Sequence, residues 1–189
     1  DLLGIPKDNF QDAVSDGLKL TPKMAKKGIR LQIDSGTTFF YVSFNMKDSV
    51  VGKNKYLRQA LSCAIDRKKF VELFTNNRGV AAVTVLPPGI ADRPKDPKIK
   101  YGYDLERAKR LLAKAGFPNG AGLPNLRFDT RGASSQSRQM GEFFTQQFGK
   151  IGVKLDVVLN TFPAYLEKAR TGNLQVSFGG WILDYPDAE

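Results

Sequence analysis

The chain has 189 residues with 29 Lys and Arg, 19 Asp and Glu and no His, so its net charge is +10. The lack of imidazole excludes a Ser-His-Asp triad, a Cys-His pair and any His-ligated metal site. The single cysteine, Cys63, excludes an intramolecular disulfide. No apolar run reaches the roughly 20 residues of a membrane helix, and the length suits one domain or two small ones.

The surplus of positive charge is spread over small groups. Residues 1–100 carry a net charge of +8 and residues 101–189 a net charge of +2. Groups such as Lys26-Lys27 and Arg67–Lys69 have acidic or apolar residues nearby, and none reaches the five or more cations of a nucleic-acid-binding tail. Binding to nucleic acid or to an anionic surface therefore stands only as an alternative.

Two short helices are predicted first. Apolar residues recur every four positions from Phe10 and favour a helix over residues 8–18, with Asp8 as its N-cap. Thr21-Pro22 supplies the cap and first-turn proline of a second helix, which Gly28 ends.

Two strands are predicted next. Apolar and polar residues alternate over residues 29–33, which is the pattern of a half-buried strand. The segment Phe39–Phe44 is rich in aromatic and β-branched residues and predicts a second strand. Because the turn sequence Asp34-Ser35-Gly36 separates them, the two strands are predicted to pair as a hairpin.

Three helices and a long loop are predicted in the middle of the chain. An apolar face at helical spacing begins at Leu57. Asp66 caps the next helix, and Asp104 caps the third, which Gly116 ends. Residues 76–100, between the second and third helices, are too polar and too rich in proline for regular structure.

The last third of the chain predicts a β-α-β-α-β unit. Strands are expected over residues 126–130, 153–157 and 174–178, with helices between them that begin near Ser134 and end at Gly172. This order is typical of an α/β layer architecture.

Several sequence blocks then resemble a known family. The blocks are Phe44-Asn45, Leu57–Arg67, Leu86–Gly89, Tyr103–Pro118, Gly152–Leu155, Gly180-Trp181 and Asp184–Asp187. In this order they resemble the family 5 extracellular solute-binding proteins, the dipeptide and oligopeptide receptors of ABC importers. The resemblance covers nearly the whole chain from about residue 39. It implies an α/β fold, a periplasmic-binding-protein-like type II lobe with a mixed sheet flanked by helices.

The resemblance also implies the setting in which this lobe works. Family members are two-lobed clamps, so residues 1–189 are expected to form most of the C-terminal lobe, with residues 1–38 leading into it and the lobe continuing after residue 189. The full-length protein is expected in the periplasm or, lipid-anchored, at the cell surface. Its expected partners are a peptide ligand with a free α-amine, a membrane ABC permease and its own N-terminal lobe. Neither enzymatic activity nor a cofactor, a metal or nucleic acid is expected.

The candidate ligand-binding residues follow the last predicted strand. In peptide-binding relatives an aspartate three residues after the tryptophan pairs with the α-ammonium of the peptide, and that position here is Asp184. Trp181 is expected to wall a side-chain pocket, Gly180 to allow close approach, and Tyr185 to be a further contact. The alternatives are that Asp184 caps a turn, that Trp181 packs in the core, and that Gly179 and Gly180 are turn residues.

Other polar residues are expected to be structural. Arg58 is predicted to pair at the surface of the lobe, Asp66 to cap a helix and Cys63 to be a small buried hydrophobe. Asn45 is predicted to bond across the crossover between lobes. The alternatives for the ligand are a nickel chelate, haem or an oligosaccharide, and a hydrolase using Asp184 with Asp187 is a further alternative.

Overall fold

A computed structural model describes residues 3–5, 9–15, 18–33, 36–90, 93–95 and 99–185. The helices are α1 (Phe10–Ala13), α2 (Pro22–Ala25), α3 (Lys55–Ala64), α4 (Arg67–Thr75), α5 (Leu105–Lys114), α6 (Ser135–Gly149) and α7 (Phe162–Arg170). The strands are β1 (Val14–Ser15), β2 (Lys19–Leu20), β3 (Thr38–Phe44), β4 (Leu126–Thr130), β5 (Leu155–Leu159) and β6 (Val176–Ile182).

The main sheet has four strands in the order β3-β6-β4-β5. Strand β4 runs parallel to both β5 and β6, whereas β3 runs antiparallel to β6. The predicted β-α-β-α-β unit is therefore confirmed, because α6 connects β4 to β5 and α7 connects β5 to β6. The sheet is mixed, as expected.

The core lies on one face of this sheet and contains a cluster of phenylalanine rings among aliphatic side chains. Phe144 of α6 lies 4.8 Å from Phe128 of β4 and 5.8 Å from Phe178 of β6, measured between ring centroids. Phe70 of α4 lies 5.5 Å from Phe178. Burying each such side chain stabilises the fold by about 1.5–3 kcal/mol relative to leaving it in water.

Four of the helices follow an N-cap residue whose side chain accepts a hydrogen bond from a backbone N–H group of the first turn. Such caps satisfy backbone N–H groups that have no partner inside the helix. The acceptors are Asn54, Asp66, Asp104 and Ser134, at 3.1, 3.0, 2.8 and 3.2 Å from the amide nitrogens they bind. The predicted caps of α4 and α5 are confirmed.

The predicted first helix is wrong beyond its first turn. Helix α1 ends at Ala13, and β1 and β2 then form a two-stranded antiparallel hairpin. Leu18, counted as part of the helical face, has φ 58°, a left-handed conformation that an α-helix cannot contain. The predicted cap Asp8 lies outside the described residues. Helix α2 begins after Thr21 as predicted, although the Thr21 hydroxyl donates to the carbonyl of Asp12.

The predicted hairpin over residues 29–44 is also wrong. Residues 29–33 form no strand, and both Ile29 and Ile33 are exposed. Strand β3 pairs instead with β6, in a register that places Phe39 opposite Trp181. Strand β6, although distant in the sequence, is the preferred partner because it pairs with all seven residues of β3. Asp34 and Ser35, the predicted turn, lie outside the described residues.

Candidate functional site

The topology of the sheet marks one edge as the place for a ligand. Helix α6 connects β4 to β5, which is its neighbour on one side in the sheet. Helix α7 connects β5 to β6, which is the neighbour of β4 on the other side. Phe128 contacts α6, and its neighbour Asp129 contacts α7, so the two helices cover opposite faces. The connections that leave the carboxyl ends of β4 and β5 therefore diverge, and open α/β sheets bind ligands outside the carboxyl ends of their strands.

Gly180 lies at this edge but inside a strand. Strand β6 was predicted to end at Phe178 and instead runs to Ile182, so the interpretation of Gly180 as a turn residue is wrong. A β-carbon on Gly180 would lie 2.6 Å from Cδ1 of Phe40, whose ring crosses it from β3. The space that this glycine leaves open is therefore taken by a ring of the protein.

Three of the candidate ligand-binding residues, Trp181, Asp184 and Tyr185, have exposed side chains. Trp181 is 54% exposed, so the alternative that it packs in the core is wrong. Asp184 and Tyr185 are also exposed. Within the described part of the chain, the Asp184 carboxylate has no hydrogen-bond or ion-pair partner. The alternative that Asp184 caps a turn involves Pro186 and Asp187, which lie outside the described residues.

Arg131 is a residue of this edge that the sequence did not single out. It directly follows β4, and its Nη1 donates to the carbonyl oxygen of Gly180 at 3.0 Å. Its guanidinium carbon lies 5.2 Å from the ring centroid of Phe162, the first residue of α7. The sequence feature that could have identified Arg131 is its position, because it is a charged residue immediately after a strand of the β-α-β unit.

Large apolar side chains are exposed around the same edge. Tyr41 of β3 lies against Gly179, with its ring carbon Cε2 2.9 Å from where a β-carbon would be. The exposed members at the ends of β3 and β6 and along α7 are Phe40, Tyr41, Phe162, Leu166, Trp181, Ile182 and Tyr185. Aromatic walls with a few charged groups are typical of small-ligand sites.

The remaining predicted residues lie elsewhere. Arg58 donates from Nη1 to the carbonyls of Val51, at 2.7 Å, and Gly52, which confirms a structural role. Asn45, predicted to bond across the crossover between lobes, donates through its amide to the carbonyls of Gly172 and Leu174 within this chain.

The thiol of Cys63 is buried, as predicted. Its removal from water raises the pKa above the ordinary value of 9.0, with smaller opposing effects from the charges of Arg107 and Arg67. A buried, hard-to-ionise thiol is inert, so Cys63 is not a nucleophile.

A groove also lies away from this edge. A cavity of about 450 Å³ lies beside the first residues of α3 and is lined by Lys53, Tyr56 and Phe117 among others. It follows the end of β3 that pairs with the start of β6, at the opposite end of the sheet from Trp181. The candidate site, which strand topology and exposed charge place at the end of β6, is therefore separate from this groove.

Two kinds of feature are missing from the described residues. They contain no cluster of three or more Cys, Asp or Glu side chains that could hold a metal ion. None of their helices is both long and apolar enough to cross a bilayer.

Comparison with known proteins identifies the fold. Residues 8–189 match the profile of the bacterial extracellular solute-binding proteins, family 5, middle region. Similar solved structures include a periplasmic oligopeptide-binding protein from Borrelia burgdorferi, with TM-score 0.69 and 27% identity over 89% of this chain and 34% of that one. Another is the periplasmic binding protein DppA of Helicobacter pylori in complex with the peptide STSA, with TM-score 0.70 and 26% identity over 87% and 32% of the two chains. The type II periplasmic-binding-protein fold is thus confirmed.

Curated relatives agree with this assignment. Haem-binding protein A of Haemophilus influenzae is 32% identical over 180 residues, which are 91% of this chain and 30% of the relative. The dipeptide-binding protein of Escherichia coli is 29% identical over 167 residues, 86% of this chain and 30% of the relative. The chain thus spans about a third of the length of the proteins it matches. It belongs to the bacterial extracellular solute-binding proteins of family 5.

Proposed function

We propose that this chain is the ligand-binding lobe of a peptide receptor that serves an ABC importer. The observation that carries the proposal is an exposed carboxylate, Asp184, on the same sheet edge as an exposed guanidinium, Arg131, with Trp181 beside them. Opposite charges at one crevice suit a zwitterionic ligand, and a short peptide with free ends is such a ligand.

The two charges act on the two ends of the ligand. Asp184 accepts hydrogen bonds from the α-ammonium of the peptide, and the N–H groups of Arg131 that do not bind Gly180 face its carboxylate. Trp181 and Phe162 cover its side chains. Each contact strengthens when closure removes water, because charges interact more strongly at low dielectric.

The closing partner is a second lobe. We propose that residues 1–189 form most of the C-terminal lobe of a two-lobed clamp, with residues 1–38 leading into it. The ligand is bound between the lobes, which close by a hinge motion and dock on a membrane permease. The full-length protein works without catalysis in the periplasm or, lipid-anchored, at the cell surface.

Calorimetry on the full-length protein tests the proposal. The probes are the dipeptide Ala-Phe and the tetrapeptide Ser-Thr-Ser-Ala, each compared with its N-acetylated form, which has no ammonium group. We expect at least one free peptide to bind and its acetylated form to bind at least thirtyfold more weakly. Equal binding of both forms, or of neither, would contradict the proposal.

Haem is the second candidate ligand, because a relative that shares 32% identity is a haem-binding protein. This chain has no His to ligate the iron, and its Cys63 is buried. Titration of the full-length protein with hemin, followed by absorbance, separates the two candidates. We expect no saturable change in the haem spectrum, whereas saturation at one equivalent would favour haem over peptide.

A further inference from the structure

Helix α7 is held to the sheet by polar contacts rather than by apolar packing. None of its nine residues is buried. Lys168 places its Nζ 2.7 Å from Oδ1 of Asp129 on β4. One turn earlier, the hydroxyl of Tyr165 lies 3.3 Å from Oγ of Ser177 on β6. The location of the helix is therefore set by a small number of directional bonds.

Asp129 is the centre of these contacts. Its side chain is fully buried, and it also accepts hydrogen bonds from Nδ2 of Asn160 at 3.0 Å and from Nε of Arg127 at 3.2 Å. Asn160 belongs to the short connection from β5 to α7 and donates to the carbonyl of Thr130 as well. A buried carboxylate must be paired, so the connection and the helix are both tied to one point of the sheet.

The other end of α7 reaches the candidate site. Its first residue, Phe162, lies beneath the guanidinium of Arg131, which in turn binds the carbonyl of Gly180. Lys168 lies six positions after Phe162, which is about 9 Å along a helix. A shift of α7 on the sheet therefore moves Phe162 and the side chain that stacks on it.

We infer that Asp129 and Lys168 are a positioning pair for the ligand crevice. The ion pair sets where α7 lies on the sheet, and thereby holds Phe162 and Arg131 beside Trp181. The effect on a ligand rests on the proposed function, whereas the effect on α7 rests on the geometry alone. The two parts are tested separately.

Hydrogen exchange of the full-length protein tests the effect on α7. In Lys168→Met we expect the amides of residues 165–170 to exchange at least tenfold faster than in the wild type, while those of α6 are unchanged. The matched control is Arg170→Met on the same helix, since the one described partner of the Arg170 side chain is exposed Glu167. Lys168→Arg, which keeps the charge, should restore slow exchange. Unchanged exchange of α7 in Lys168→Met would overturn the inference.

A second variant keeps this test decisive if Lys168→Met does not fold. Removing Lys168 leaves the buried carboxylate with Arg127 as its remaining cation, whereas Asp129→Asn combined with Lys168→Met leaves no negative charge there. We expect this double variant to fold and its α7 amides to exchange at least tenfold faster. Wild-type exchange in the double variant would count against the pair.

A double-mutant cycle tests the effect on the ligand. Phe162→Ala and Lys168→Met should each weaken binding of Ala-Phe or Ser-Thr-Ser-Ala roughly tenfold. Together they should also weaken it roughly tenfold, because both remove the same contact. A hundredfold loss in the double variant, or wild-type affinity in Lys168→Met, would show a merely structural role. If the wild type binds neither peptide, the proposed function fails, and the exchange experiment still decides the role of the pair in placing α7.

Discussion

The ring of Phe40 lies across Gly180, so that a β-carbon on the glycine would stand 2.6 Å from Cδ1 of the ring. The same ring stacks on Phe178 at 5.8 Å, with an interplanar angle of 11°. An aromatic residue on β3 thus covers a residue without a side chain on its neighbour β6. The glycine is required by packing within the sheet, one residue before Trp181, which we propose faces the ligand.

Gly180→Ala should therefore destabilise the protein. The added methyl group forces the ring of Phe40 to move, and overpacking of this kind costs about 1–3 kcal/mol. Urea denaturation measures the loss. The matched control is Gly149→Ala at the end of α6, where a β-carbon meets nothing within 4 Å. It should be neutral or stabilising by up to about 1 kcal/mol. Equal effects of the two substitutions would show that the Phe40 contact does not matter.

Asp184→Asn should weaken the binding of free-amine peptides by about 2–5 kcal/mol, which is thirtyfold or more in Kd. The amide has the same shape but no charge to pair with the ammonium. Binding of the N-acetylated peptide should change little, since it carries no ammonium. Calorimetry on the full-length protein gives both values. Glu106→Gln, which neutralises an exposed carboxylate on α5, is the control and should leave affinity unchanged. A variant Asp184→Asn with wild-type affinity would rule out the anchor.

Arg131→Gln should act on the other end of the ligand. The substitution removes the charge that we propose faces the peptide carboxylate, so affinity for Ala-Phe should fall at least tenfold. Affinity for the amidated peptide Ala-Phe-NH₂, which has no terminal carboxylate, should be nearly the same in variant and wild type. Arg138→Gln on α6 serves as the control cation. A parallel loss for both peptides would instead indicate that Arg131 only supports Gly180 and Phe162.

Trp181→Ala should weaken binding more than it weakens folding. Because the side chain is 54% exposed, its loss removes little buried area in the free protein. We expect an affinity loss of about tenfold or more and a change in the free energy of unfolding below about 1 kcal/mol. Thermal unfolding and calorimetry of the same preparation compare the two. A large loss of stability with unchanged affinity would show instead that Trp181 has a structural role.

The free energy of unfolding should fall at alkaline pH because of Cys63. Burial raises the pKa of its thiol above the ordinary value of 9.0, so the folded state binds the proton more tightly than the unfolded state. The resulting stability is complete below pH 9 and is lost as the pH rises through the folded-state pKa. Urea denaturation between pH 7 and 10.5 measures the slope. Cys63→Ala should reduce that slope, and an identical slope in the variant would contradict the assignment.

The local elements were predictable because their signals are local. Asp66 and Asp104 begin α4 and α5 as predicted, since a cap is a bond between residues three positions apart. The β-α-β-α-β order was predictable from apolar spacing for a similar reason. At the N-terminal end the same spacing predicted a helix that is too long. Leu18 has a left-handed conformation, which the spacing of apolar residues does not reveal.

The candidate site was only half predictable. Asp184, Trp181 and Tyr185 came from a resemblance to a family, and the structure leaves all three exposed. Arg131 was missed because it lies 49 positions from Gly180, the residue whose carbonyl it binds. Asp129 and Lys168 were missed for the same reason, since nothing near either residue indicates the other.

Composition alone excluded histidine-dependent catalysis and an intramolecular disulfide, because the chain has no His and a single Cys. The sequence by itself also determined most helices and strands, because spacing and capping act over a few residues. Only the tertiary structure decided that β3 pairs with β6 and that Phe40 occupies the space above Gly180. It alone brought Arg131 to the edge where Asp184 is exposed. Those outcomes depend on which distant segments bury the most surface and pair the most backbone, and no local pattern encodes that competition.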